Sequence, residues 1–233
     1  METWYSLPGF FDPMSSISHL AGAVLYLVLS IFLLASAWGC HKRFWLSLIF
    51  CLSAIALLSL SGVHHMLRLG GTPRAVLLRL DVAAIFVLIA GTFSPIHGVL
   101  FKGWRRWSIL VPLWTVAVAG ITLRTIFFES VPQWLGTSIF LAMGWIGGVS
   151  AVLLWKSFRW EMWPILAGGV VYSIGGLMTV FEWPVVVPCV WGPHETFHLL
   201  VLLALGLHWK FIARIADGTL RYQPKNEFLV TAA

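Results

Sequence analysis

An α-helix of about 20 apolar residues, rising 1.5 Å per residue, crosses the roughly 30 Å hydrocarbon core of a bilayer. The chain meets that template seven times, approximately over residues 15–38, 44–67, 79–101, 106–126, 135–156, 162–182 and 193–215. A short stretch carrying charge, glycine or proline parts each segment from the next. The expected fold is all-α, a polytopic membrane protein built as a seven-transmembrane-helix bundle. One domain is expected over residues 1–215, with a short polar tail over 216–233. Composition excludes the alternatives: 59% of the residues are apolar and 10% charged, against about 45–50% and 25% in soluble domains. With so few charges, the net +6 does not make a nucleic-acid surface, so the expected partner is membrane lipid, as environment and as substrate. The oligomeric state is left open.

Residues before Met14 include Glu2 and Asp12 but no lysine or arginine, so a cleaved signal peptide is not expected. Cys40, Cys51 and Cys189 show no C-x-x-C spacing, which leaves histidine and carboxylate as the candidate metal ligands. Short cytoplasmic loops are enriched in lysine and arginine. The side holding the N-terminus carries Arg68, Arg74, Arg79 and Arg124, whereas the other eleven cations, from Lys42 and Arg43 to Arg221 and Lys225, fall opposite. The expected location is a bacterial inner or plasma membrane, with the N-terminus outside and the C-terminus cytoplasmic.

Ionisable residues inside membrane helices are costly and usually line a site. Of the eight histidines, His19, His64, His65, His194 and His198 fall on the N-terminal side, and Asp81 joins them; His41, His97 and His208 lie toward the other side. The sharpest local pattern is His194-Glu195-Thr196-Phe197-His198. Its histidines are four apart, so they share a helix face with Cβ atoms about 5–6 Å apart, a spacing that can chelate zinc. Pro193 suits the first helical position. Zinc needs a third protein ligand, and a peptidase of the H-E-x-x-H type takes an acidic one downstream. Asp217, nineteen residues after His198, lies about 28 Å along the helix and cannot reach. Upstream, His65 shares a face with Ser61 one turn earlier and is the expected third ligand. His64 points about 100° away and reads better as a helix-end histidine bonded to loop or headgroup. His19 is left between the two roles.

Asp81 reads either as a helix N-terminal carboxylate favoured by the dipole or, preferably, as a site residue that holds the metal's water or fixes a histidine ring. Glu195 is open between general base and solvent-facing first-turn carboxylate. Gly144, Gly147, Gly148, Gly168, Gly169, Gly175 and Gly176 are expected at helix interfaces. Trp104, Trp107, Trp134, Trp160, Trp163, Trp183 and Trp191 are expected as interfacial anchors.

With these residues in view, the chain resembles the hemolysin III family, the bacterial branch of the progestin and adiponectin receptor superfamily. Ser15-Ser16-Ile17-Ser18-His19 is similar to the family's N-x-x-S-H opening, with Ser15 where asparagine is usual, and Ser61-x-x-x-His65 to its S-x-x-x-H. Leu80-Asp81 followed by Ala90-Gly91-Thr92-Phe93-Ser94-Pro95, then Met143-Gly144-Trp145, Leu166-Ala167-Gly168-Gly169 and His194-x-x-x-His198, continue the likeness in order. The resemblance implies a zinc ion held by His65, His194 and His198, with Asp81 and Ser61 beside its water. For the related receptors and alkaline ceramidases it implies hydrolysis of a lipid amide, and for some bacterial relatives a cytolytic, pore-forming role. Val82 stands where family members often carry a histidine, and the adiponectin receptors place their N-terminus in the cytoplasm, the reverse of the cation count here.

The expected function is therefore a zinc-dependent hydrolase of a lipid amide or ester, with Asp81, or in second place Glu195, as proton acceptor and Ser61 as hydrogen-bond donor. The alternatives are a zinc-stabilised receptor, sensor or cytolysin in which Asp81 closes the metal site, and, weakly, the H-E-x-x-H peptidase.

Overall fold

The computed structural model describes residues 8–188 and 190–220; Glu2, Cys189, Arg221, Lys225 and the remaining tail lie outside the described residues. In hydrocarbon a backbone N–H or C=O finds no water, so a spanning segment must satisfy its own polar groups by helical bonding. The apolar segments do so as α1 (Pro13–Ser36), α2 (His41–Met66), α3 (Thr72–Leu100), α4 (Gly103–Ile126), α5 (Gln133–Phe158), α6 (Trp163–Phe181) and α7 (Pro193–Ala216). No strand occurs among the described residues, only an isolated bridge between Val187 and Trp191.

Among the described residues, six helical stretches are long and apolar enough to cross a membrane. The expected fifth and sixth segments are not parted by a loop but belong to one stretch of 49 residues, Gln133–Phe181. The residues between them stay helical as a 3-10 turn, Arg159–Met162, which Arg159 enters in the left-handed region at φ 45°; α5 and α6 pack against each other. The third segment also starts earlier than expected, at Thr72, because Pro73 fits the first helical turn after Gly71. Arg74 and Arg79 are thus helical rather than in a loop.

α2 packs on α1 and α3, α7 on α6 and α1, and α3 on α4. One apolar core, around Phe50, Leu58, Leu205 and Ile212, is shared by α1, α2, α3, α5, α6 and α7. A second, around Phe86 and Leu113, joins α3, α4 and α5. Outward faces are apolar as well, with Val24, Ile31, Phe32 and Val152 exposed, the surface a lipid solvent requires. Trp104, Trp134, Trp160 and Trp183 are exposed near helix ends, as interfacial anchors are.

The glycines divide. A Cβ on Gly168 would meet the His208 ring at 2.4 Å, and one on Gly147 the Phe93 ring at 2.6 Å, so these two permit close helix contact. Gly144 and Gly169, expected at interfaces, have nothing within 4 Å of a Cβ and instead line a cavity.

Candidate metal centre

α7 begins where Gly192 adopts an extended conformation and Pro193 takes the first turn. The Glu195 carboxylate accepts the Gly192 N–H at 2.8 Å, and Thr196 Oγ1 donates to the Gly192 carbonyl at 3.0 Å. This fixed start sets His194 and His198 one turn apart at the end of the bundle where α2 finishes with His64 and His65. His65 Nε2 and His198 Nε2 each lie 3.1 Å from His194 Nε2. The three residues form a group in which one ligand atom from each lies within 4.8 Å of the others, a set that can hold a metal ion. His65 and His198 are buried, while His194 is more accessible and lines the adjoining cavity.

The other ring nitrogens of His65 and His198 are occupied. His65 Nδ1 lies 3.0 Å from Asp12 Oδ2, and His198 Nδ1 lies 3.3 Å from the Ser15 carbonyl. An ionised carboxylate and a carbonyl only accept, so both Nδ1 atoms donate and both Nε2 atoms keep a lone pair facing His194. Arg74 Nη2 donates to the same Asp12 oxygen at 2.6 Å. Burial pushes the Asp12 pKa up, but the hydrogen bonds from His65 and Arg74 and the charge of Arg74 outweigh it and hold the carboxyl below its usual range. α1 is tied in as well: Ser16 Oγ donates to the Gly62 carbonyl at 2.7 Å, and His19 stacks on His198.

Beside the imidazoles lies a cavity of about 630 Å³. Its walls are mostly apolar, with Leu88, Ile89, Phe93, Phe140 and Val201 among them, and Ser61, Asp81, His64 and His19 line it too. Asp81 forms a second group with His64 and His65, again within 4.8 Å, and Ser61 lines the same cavity. The cavity is a concave, apolar chamber with a few convergent polar groups, the form of a small-molecule site.

With this geometry in place, a family comparison is decisive: the model of the haemolysin-III related family matches residues 11–209, a span that holds every imidazole of the cluster. The chain belongs to the haemolysin-III related family. Hemolysin-3 of Bacillus cereus is 28% identical over 171 residues, covering 72% of this chain and 77% of the relative. The Hemolysin-3 homolog of Bacillus subtilis (strain 168) is 30% identical over 171 residues, covering 72% and 79%. The resemblance to the hemolysin III family, a relative of the progestin and adiponectin receptors, is thereby borne out.

In this haemolysin-III related chain, His65, His194 and His198 come together, and Asp81 and Ser61 share one cavity wall beside them. Glu195 turns away from the rings to cap α7, with Ser15 Oγ as a second, longer contact at 3.4 Å. His64, read from the sequence as a helix-end residue, is buried next to Asp81 and its Nδ1 has no hydrogen-bond partner among the described residues. His97 and His208 stay apart from the centre, bonded to Ser150 Oγ at 2.7 Å and to the Ile165 carbonyl at 3.2 Å. Sequence reasoning missed Asp12. Its only signal was an Asp before a Pro at a helix start, which reads as a cap, and its side chain instead reaches His65, 53 residues away.

Proposed function

We propose that this membrane protein is a zinc-dependent hydrolase of a lipid amide or ester that enters from the bilayer. The observation that carries the reading is the convergence of three imidazole Nε2 atoms on an apolar cavity that also presents a carboxylate and a hydroxyl. Two of those nitrogens turn lone pairs toward His194 Nε2, which in the neutral ring can donate to one of them at most. A cation between the three satisfies them all. Their 3.1 Å separations are close to the edge, about 3.3 Å, of a tetrahedron with the zinc–imidazole bond length of about 2.0–2.1 Å. Zinc bound there supplies Lewis acidity that activates water and polarises a carbonyl.

The chain's own residues do the rest. Asp81 takes a proton from the attacking water and returns it to the leaving group. Ser61 orients that carboxylate or donates to the developing oxyanion. The apolar walls hold the acyl chain and keep bulk water out. We further infer that Gln133–Phe181 crosses the membrane twice, since 49 residues extend about 74 Å as one helix, more than twice the hydrocarbon thickness. The chain then makes seven crossings, and the cation count favours the metal end outside.

The test is a turnover screen on lipid extracts with purified protein. Wild type is expected to release fatty acid, and chelation or His198→Ala to abolish the release. Persistent turnover by His65→Ala and His194→Ala proteins that have lost their zinc would contradict the mechanism.

The nearness of Asp81 to His65 supports a second reading, in which Asp81 closes the metal site and zinc ties α2, α3 and α7 together in a non-enzymatic receptor, sensor or pore. The name Hemolysin-3 carried by the Bacillus cereus relative fits its pore-forming version. Dye release from protein-free liposomes separates the two. The peptidase reading gains nothing: Asp217 sits at the far end of α7 and accepts from Thr219 at 2.8 Å.

A further inference from the structure

The segment leading into α1 lies across the end of α2. Phe11 N–H donates to the Met66 carbonyl at 3.2 Å and Asp12 N–H to the His65 carbonyl at 2.9 Å, so two carbonyls that a helix end leaves without intrahelical partners are bonded from outside. Asp12 Oδ2 accepts from both His65 Nδ1 and Arg74 Nη2. Arg74 Nη1 donates to the Leu67 carbonyl, and the guanidinium lies over the Phe11 ring, 4.9 Å from its centroid. One carboxylate thus joins three pieces of chain: the strap before α1, the end of α2 and the first turn of α3.

We propose that Asp12 is a positioning residue for the metal centre, and that metal binding at His65 is coupled to docking of the Phe11–Asp12 strap on the end of α2. The inference rests on the metal reading above and extends it to residues outside the ligand set. A neutral imidazole carries one N–H. Donation of the Nδ1 proton to a carboxylate fixes the tautomer and the ring plane, leaves Nε2 free to bind an ion and makes it more basic. Arg74 holds that carboxylate in place, and the backbone bonds of Phe11 and Asp12 set its distance. Coupling of this kind is reciprocal: the factor by which strap docking tightens metal binding is the factor by which metal tightens strap docking.

The experiment is a zinc titration of the full chain in detergent against a chromophoric chelator, for wild type, Asp12→Ala, Asp12→Glu and Arg74→Gln. Asp12→Ala is expected to weaken zinc binding roughly ten- to a hundredfold, Asp12→Glu to recover part of the loss, and Arg74→Gln to lose less. Cobalt in place of zinc is expected to show an altered visible spectrum in Asp12→Ala, moved back toward wild type by Asp12→Glu. Zinc is also expected to slow hydrogen exchange at the Phe11 and Asp12 amides in wild type. Equal zinc affinity and an unchanged cobalt spectrum in Asp12→Ala, beside a wild type that binds zinc, would overturn this proposal alone. A wild type that binds neither metal would overturn the metal reading and this proposal with it.

Discussion

His19 lies face to face on His198, with ring centroids 3.8 Å apart and planes 14° from parallel. Neither ring nitrogen of His19 has a hydrogen-bond partner among the described residues, so its contribution there is the stack, which holds the His198 ring in the plane that points Nε2 at His194. His19→Phe is expected to keep the stack and the metal content. His19→Ala is expected to lose about 0.5–1.5 kcal/mol, the range for an aromatic pair, and to hold metal less tightly. Unfolding in micelles with and without chelator measures both.

Glu195 accepts the Gly192 N–H at the start of α7, and this cap competes with the general-base role that its place in the H-E-x-x-H pattern suggests. Glu195→Gln is expected to retain zinc and to turn over lipid within a few-fold of wild type. Glu195→Ala is expected to cost about 0.5–2 kcal/mol in stability, as loss of a cap does. A fall of a hundredfold or more in Glu195→Gln, with zinc retained, would return the residue to the reaction.

Asp81 and Ser61 share one cavity wall. Asp81→Asn is expected to lower turnover by about 10²–10⁴-fold, the range for a lost acid–base group, with zinc content unchanged. Ser61→Ala is expected to lower it less. Loss of zinc in Asp81→Asn would favour the closed, non-enzymatic site.

Glycines on the two kinds of surface should respond in opposite ways. Leucine at Gly144 or Gly169 meets open cavity, and is expected to leave folding intact while reducing lipid binding and turnover. Gly168→Ala drives a methyl into the His208 ring and is expected to cost about 1–3 kcal/mol by overpacking. Thermal unfolding beside a lipid-binding assay separates the two.

Much of this was legible in the chain, because membrane helices announce themselves by length and apolarity and because an i, i+4 histidine pair must share a face. His65 followed from depth and helix parity. Three things were not. The break between the fifth and sixth segments was legible, with Pro164 opening α6, but not that its residues Arg159–Met162 stay helical as a 3-10 turn. The environment of His64 depends on how α2 rotates against α3, which a 100° wheel argument on one helix does not contain. Asp12 meets His65 only through tertiary placement of a segment that carries no periodicity.

The central claim is that His65, His194 and His198 hold one metal ion, and the most direct measurement is the zinc content of protein purified from membranes without added metal. About one zinc per chain is expected in wild type and close to none in His198→Ala. A zinc-free wild type, or full zinc in the His198→Ala protein, would contradict the account.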